Sequence, residues 1–148
     1  MKASPTMHQV VQQLVERHGV DLAQVGAFLR LDLPDQDSLV IDHMGTSQIA
    51  VTSCFAEAGD WKIDREVIFF TGDSKQWIPI EITQQATGWK AFAKLDAHGQ
   101  RLLRINHCDQ ERLADFAERW ACMLIRQHWL ELGIPYVPWT PPSRKELA

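Results

Sequence analysis

Between about Phe28 and Ile105 the chain is a succession of short apolar stretches cut by glycine turns, and this spacing constrains the fold more than any other feature. "SLVIDHM" and "QIAVTSCF" flank Gly45-Thr46-Ser47, "EVIFF" and "WIPIEIT" flank Gly72-Asp73-Ser74, and "WKAFAKL" and "RLLRI" flank His98-Gly99. Strands so close together leave no room for crossover helices. They should therefore pair as an antiparallel meander of about five or six strands. In "WIPIEIT" the alternation predicts Ile78, Ile80 and Ile82 on one face, and Trp77, Glu81 and Thr83 on the other. Pro79 cannot donate to a ladder, which predicts an edge strand or a bulge. An exposed edge there would also suit a homodimer contact. "VIFF" is apolar on both faces and predicts a central strand covered on both sides.

Helical signals bracket this region. Ser4-Pro5 is a helix start, with Val10, Val11, Leu14 and Val15 at helical spacing and Gly19 as the stop. "VDLAQVGAF" predicts a short second helix capped by Asp21. At the other end, Asp109 is the expected cap of a long helix, "QERLADFAERWACMLIRQHWLEL", ended by Gly133 and Pro135. Leu113, Phe116, Ala117, Trp120 and Leu124 form its apolar stripe, to be laid across the sheet, and Glu111, Asp115, Arg119 and Arg126 its polar side. Trp129 falls on the polar side and needs a cover, from either the tail Tyr136-Val137-Pro138-Trp139 or a partner. The expectation is an α+β fold in a single domain over residues 1–148. It has an N-terminal helical region (1–27), an antiparallel sheet (28–106), a C-terminal helix (109–132) packed on one face, and a proline-rich tail (134–148).

With 148 residues the chain can bury a substantial core. A formal net charge of −4 and a pI near 5.8 argue against a general nucleic-acid binder. The N-terminus has no apolar core of signal-peptide type, and no run is long and apolar enough to span a bilayer. Cys54, Cys108 and Cys122 are odd in number and lack CxxC spacing, so the expectation is reduced thiols in the cytoplasm.

Chemistry has few candidates. "EAGDWKIDREVIFF" (57–70) sets acidic residues before the most apolar run, and Asp60, Asp64 and Glu66 are the candidate ligand set for a metal-dependent hydrolase or nuclease. Asp73-Ser74-Lys75 supplies a superficial acid-x-lysine pattern, but in a turn. The competing reading is the solvated end of a hairpin, whose charges blunt edge pairing. The histidines His8, His18, His43, His98, His107 and His128 form no zinc-binding spacing. Cys54 with His43 or His107 as its base competes with a small buried apolar residue. No phosphate-cradling glycine motif and no serine elbow is present. No cofactor is expected, and no catalytic residue is assigned. The six tryptophans weigh most, because tryptophan buries much area at small entropy cost and is enriched in interfaces. Trp61, Trp129, Tyr136 and Trp139 are the candidate partner-binding residues, with nearby acidic side chains setting orientation.

The order of "FLRLDLPDQDSLVIDHMGTSQIAVTSCF", "EAGDWKIDREVIFF", "WIPIEIT" and "LADFAERWACMLIRQ" resembles a family of small uncharacterised bacterial proteins. That family is found largely on plasmids, phages and integrated conjugative elements. Gly59-Asp60, Asp64, Trp77-x-Pro79 and Phe116-x-x-x-Trp120 stand in its motif positions. Arg65 replaces the family's usual proline, and Cys54-Phe55 an aromatic-rich segment. The resemblance covers about residues 28 to 128 and implies no activity and no site residues. It suggests a mobile-element origin, so that the cytoplasmic, non-enzymatic protein-binding or accessory role expected from the cysteines and tryptophans extends to inhibition of a host defence system. In architecture alone, small acidic secretion chaperones also combine a twisted antiparallel sheet with terminal helices, although their usual middle helix is missing here.

Overall fold

A computed structural model describes residues 1–72 and 75–136. Asp73, Ser74 and the tail from residue 137, which includes Trp139, lie outside the described residues. The architecture is α+β. Helix α1 (Pro5–Arg17) is followed by β1 (Phe28–Asp32), β2 (Ser38–Gly45), β3 (Gln48–Glu57), β4 (Asp60–Phe70), β5 (Ile78–Gln84), β6 (Gly88–Ala91), β7 (Ala93–Leu95) and β8 (Leu102–Ile105). Then come the long α2 (His107–Arg126), the short α3 (Trp129–Leu132) and the two-residue β9 (Ile134–Pro135). β1 to β6 are sequential antiparallel neighbours, and β9 adds to β1, giving the order β6-β5-β4-β3-β2-β1-β9. β7 and β8 form a separate hairpin.

The meander follows from its turns. Ala58 and Gly59 both have positive φ (52° and 87°) between the paired residues Glu57 and Asp60. This two-residue connection matches the strand twist, and the glycine makes it inexpensive. Side-chain alternation then divides the sheet. Leu29, Leu31, Leu39, Ile41, Ile49, Val51, Val67 and Phe69 join Val11, Leu14, Leu113, Ala117, Trp120 and Leu124 in the main core, under α1 and α2. On the opposite face Ala50, Ile68, Phe70, Ile78 and Ile80 make a second cluster, covered by Ala93, Leu95 and Leu102 of the β7–β8 hairpin. "VIFF" is therefore buried on both sides, as its composition requires.

Several local expectations need correction. The isoleucines of β5 do not share a face. Phe69 pairs with Pro79 and Ile68 with Glu81, so Ile80 is the extra residue of a bulge that moves Ile82 into the main core. Nor is this strand a free edge. β6 pairs along Glu81–Gln84, Phe92 N–H donates to Ile80 O, Ser4 N–H donates to Trp77 O (2.8 Å), and Gln110 Nε2 donates to Pro79 O (3.1 Å). A homodimer contact at this strand finds no free ladder to join. Gln110 is fully buried and also exchanges two bonds with the Lys2 backbone, fastening the N-terminal segment beside β5.

"VDLAQVGAF" is not a helix. Asp21 Oδ1 accepts from Ala23 N–H (3.1 Å) in a turn that inserts Leu22 into the core. The cap of α2 lies three residues earlier than expected, because Asn106, not Asp109, fills that place: Asn106 Oδ1 accepts from Asp109 N–H. α1 has no side-chain cap of its own. Glu118 on α2 supplies one instead, accepting from the N–H groups of Thr6 and Met7 at 3.1 Å each.

Candidate functional site

The acidic residues singled out in the sequence do not converge. Asp60 opens β4 at the exposed tip of the β3–β4 hairpin. Asp64 is the bulged residue between Ile63 and Arg65, with Arg65 Nε 3.3 Å from its Oδ2. Glu66 accepts from the Thr52 hydroxyl (2.7 Å) on the sheet face away from the helices. Among the described residues no group of three or more His, Cys, Asp or Glu is placed to hold a metal ion. The hairpin-end reading of 57–70 fits this geometry, and the hydrolase alternative loses the clustering it required.

Cys54 is no activated nucleophile. Burial pushes its thiol pKa up, the reverse of what a reactive thiolate needs, with Arg30 only partly offsetting this. His43 packs towards the helices instead, with Nδ1 2.9 Å from Leu22 O, whereas Cys54 pairs opposite Ile63 after a bulge.

Trp129 is also not where a continuous helix would put it. The helix breaks after Arg126, and His128 adopts the left-handed conformation (φ 63°), so the chain re-enters α3 in a new direction. That rotation turns Trp129 inward. It is 3% exposed, belongs to the main core, and its indole N–H donates to Gln127 Oε1 (2.9 Å). Its cover is the protein's own core, so it is not a surface anchor.

Trp61 and Tyr136 come together from opposite ends of the sequence. β4 carries Trp61 across the open sheet face, and the residue after β9 is fixed by Tyr136 N–H donating to Arg30 O (2.9 Å). The Arg30 guanidinium lies between the two rings, 4.5 Å from the Trp61 ring centroid and 3.9 Å from that of Tyr136. Asp32 holds the other side of the guanidinium (3.3 Å) and is itself fixed by the Ser38 hydroxyl. Both rings remain well exposed, Trp61 at 55% and Tyr136 at 47%. Exposed Phe28 and Ile63 flank them, and Asp42 and Glu66 lie on the same face. No helix or hairpin among the described residues covers this half of the face. Arg30 itself was not singled out in the sequence. Its one signal there is its place between Phe28 and Asp32 on the outward face of "FLRLD".

No protein-family model, no curated protein and no solved structure matches this chain. No helix of the described residues is long and apolar enough to cross a membrane.

Proposed function

We propose that the chain is a non-enzymatic protein-binding module that grips its partner through the Trp61–Arg30–Tyr136 stack. The carrying observation is that two largely exposed aromatic rings are held in place by one guanidinium, on a half of the sheet face that no helix or hairpin of the described residues covers. Exposed rings dominate interface energetics when buried, and cation–π stacking restrains them beforehand, which lowers the ordering cost of association. Asp32, Asp42 and Glu66 around the stack favour a partner with a complementary basic rim. A cytoplasmic setting extends this proposal on the odd number of cysteines without CxxC spacing, and a mobile-element origin with an inhibitory role against a host defence system extends it on the sequence resemblance.

The test is an affinity capture from host lysate with wild type beside a Trp61→Ala/Tyr136→Ala double variant, quantified by mass spectrometry. Both substituted side chains are exposed, so the variant should keep the wild-type melting curve. A specific protein retained by wild type and depleted about tenfold or more with the variant, a loss of about 1.4 kcal/mol or more, is the expected result. Equal capture by both proteins, or none above empty resin, overturns the proposal.

A further inference from the structure

At the opposite end of the same sheet, the fold builds a cleft that the Trp61 stack does not use. β6 leaves the sheet at Phe92 and returns as the β7–β8 hairpin over the second core cluster. Between hairpin and sheet lies a cavity of about 500 Å³ lined by Ile80, Glu81, Trp89, Phe92, Lys94 and Arg104. Its walls are mainly apolar. Trp89 is 64% exposed, and its indole N–H is committed to Glu81 Oε1 at 2.8 Å. This bond pins the ring by its edge and leaves a broad ring face for a ligand.

Lys94 and Arg104 face each other across the β7–β8 ladder. Both are exposed, and among the described residues neither has an ion-pair or hydrogen-bond partner. Among the described residues Glu81 is the one acid lining the cleft; its Oε1 accepts from the Trp89 indole N–H, a bond that holds the carboxylate without cancelling its charge, so the lining sets two cations against one acid. Asp96, at the far turn of the hairpin, is occupied by the backbone N–H groups of His98 and Gln100. The charge distribution is uneven as well. Residues 88–107 hold four lysines and arginines against one aspartate, a formal +3 in a chain whose total is −4.

We infer that this cleft binds a planar, phosphate-bearing ligand of mononucleotide size, its ring on Trp89 and its phosphate between Lys94 and Arg104. The volume lies in the usual range for such ligands, an aromatic face stacks on any base, and two cations on adjacent strands, one in excess of the cleft's single carboxylate and neither in an ion pair, match one phosphate group. The acidity of the whole molecule argues against broad nucleic-acid binding, but not against a single phosphate met at a local pair of cations. The source is either a free nucleotide or one unit of a single strand.

The test follows tryptophan fluorescence and calorimetry with thymidine 5′-monophosphate, thymidine and a decathymidylate strand at low salt, on wild type, Trp89→Leu and Lys94→Gln/Arg104→Gln. The monophosphate should bind, with thymidine weaker by about tenfold for want of its charge-assisted contacts. The charge variant should bring the monophosphate down to the thymidine level, and Trp89→Leu should abolish the quench. All three substituted side chains are exposed, so the variants are expected to fold. A strand that binds more tightly than the monophosphate, with an affinity falling steeply in salt, identifies single-stranded nucleic acid as the source. A strand that binds no better identifies a free nucleotide. No binding of either phosphate ligand, or binding indifferent to both variants, overturns the inference.

Discussion

Single side chains in this protein fasten elements that are far apart in sequence, and Glu118 is the clearest case. Its two oxygens replace the missing cap of α1, and a carboxylate at a helix N-terminus also meets the positive end of the helix dipole. Glu118→Ala should cost about 1–2 kcal/mol, the usual cost of a lost cap, measured by urea denaturation with an unchanged m-value. A change within about 0.5 kcal/mol would mean that water caps the helix equally well. His8 makes a second testable contact. It stacks on Trp77 at 4.9 Å, and burial holds its pKa below the ordinary histidine value of 6.5. The folded state thus prefers neutral His8, and as pH falls the unfolded chain takes up the proton first. The stability from this preference is present above the unfolded value and is lost as pH falls through the folded one. His8→Phe keeps a ring on Trp77 and removes the proton site, so its unfolding free energy should fall less than that of wild type between about pH 8 and pH 5. Parallel pH profiles for the two proteins would exclude His8 as the cause.

At the scale of elements, local rules held where pattern and backbone agreed, and failed where one residue changed the direction of the chain. The strands of the meander were legible because period-two alternation and glycine turns recur together. Pro79 announced a disturbance in β5, but which residue would bulge depended on the pairing with Phe69 and Ile68, which the sequence does not contain. Trp129 was misplaced for a similar reason. Helical periodicity carried it to the polar side, whereas the left-handed His128 rotates α3 by a new start. Histidine is among the few non-glycine residues that tolerate this conformation, so nothing in "RQHWLEL" marked the break. Trp61 and Tyr136 were legible as exposed aromatics. Their meeting over Arg30 was not, since it needs the register of β1 with β9 and the sweep of β4 across the sheet. The break itself is testable. His128→Gly removes a left-handed penalty of about 1 kcal/mol, offset in part by greater freedom of the unfolded chain. Stability should be maintained or rise by several tenths of a kcal/mol, whereas β-branched His128→Val should lower it. Equal destabilisation by both would instead assign the role to the His128 side chain, which lies 3.5 Å from Glu131.

For the molecule as a whole, the decisive feature is that the described residues cover the two faces of one sheet unequally. One face carries the main core beneath α1 and α2. The other carries a small cluster under a two-stranded hairpin at one end and the Trp61 stack at the other. Two-stranded hairpins are marginal alone, so β7–β8 draws its order from the contacts of Ala93, Leu95 and Leu102 with the sheet. This predicts two levels of cooperativity, readable by amide hydrogen exchange. Phe69→Ala, in the fully buried main core, should lower the protection of every slow amide together by about 3–5 kcal/mol. Leu102→Ala should speed exchange across residues 93–105 and leave the β3 and β4 amides close to their wild-type rates, because the hairpin opens as its own unit. If Leu102→Ala instead lowered protection evenly over β3 and β4, the hairpin would belong to the global folding unit. The nucleotide-sized cleft between hairpin and sheet would then be a fixed cavity, not one whose wall opens independently.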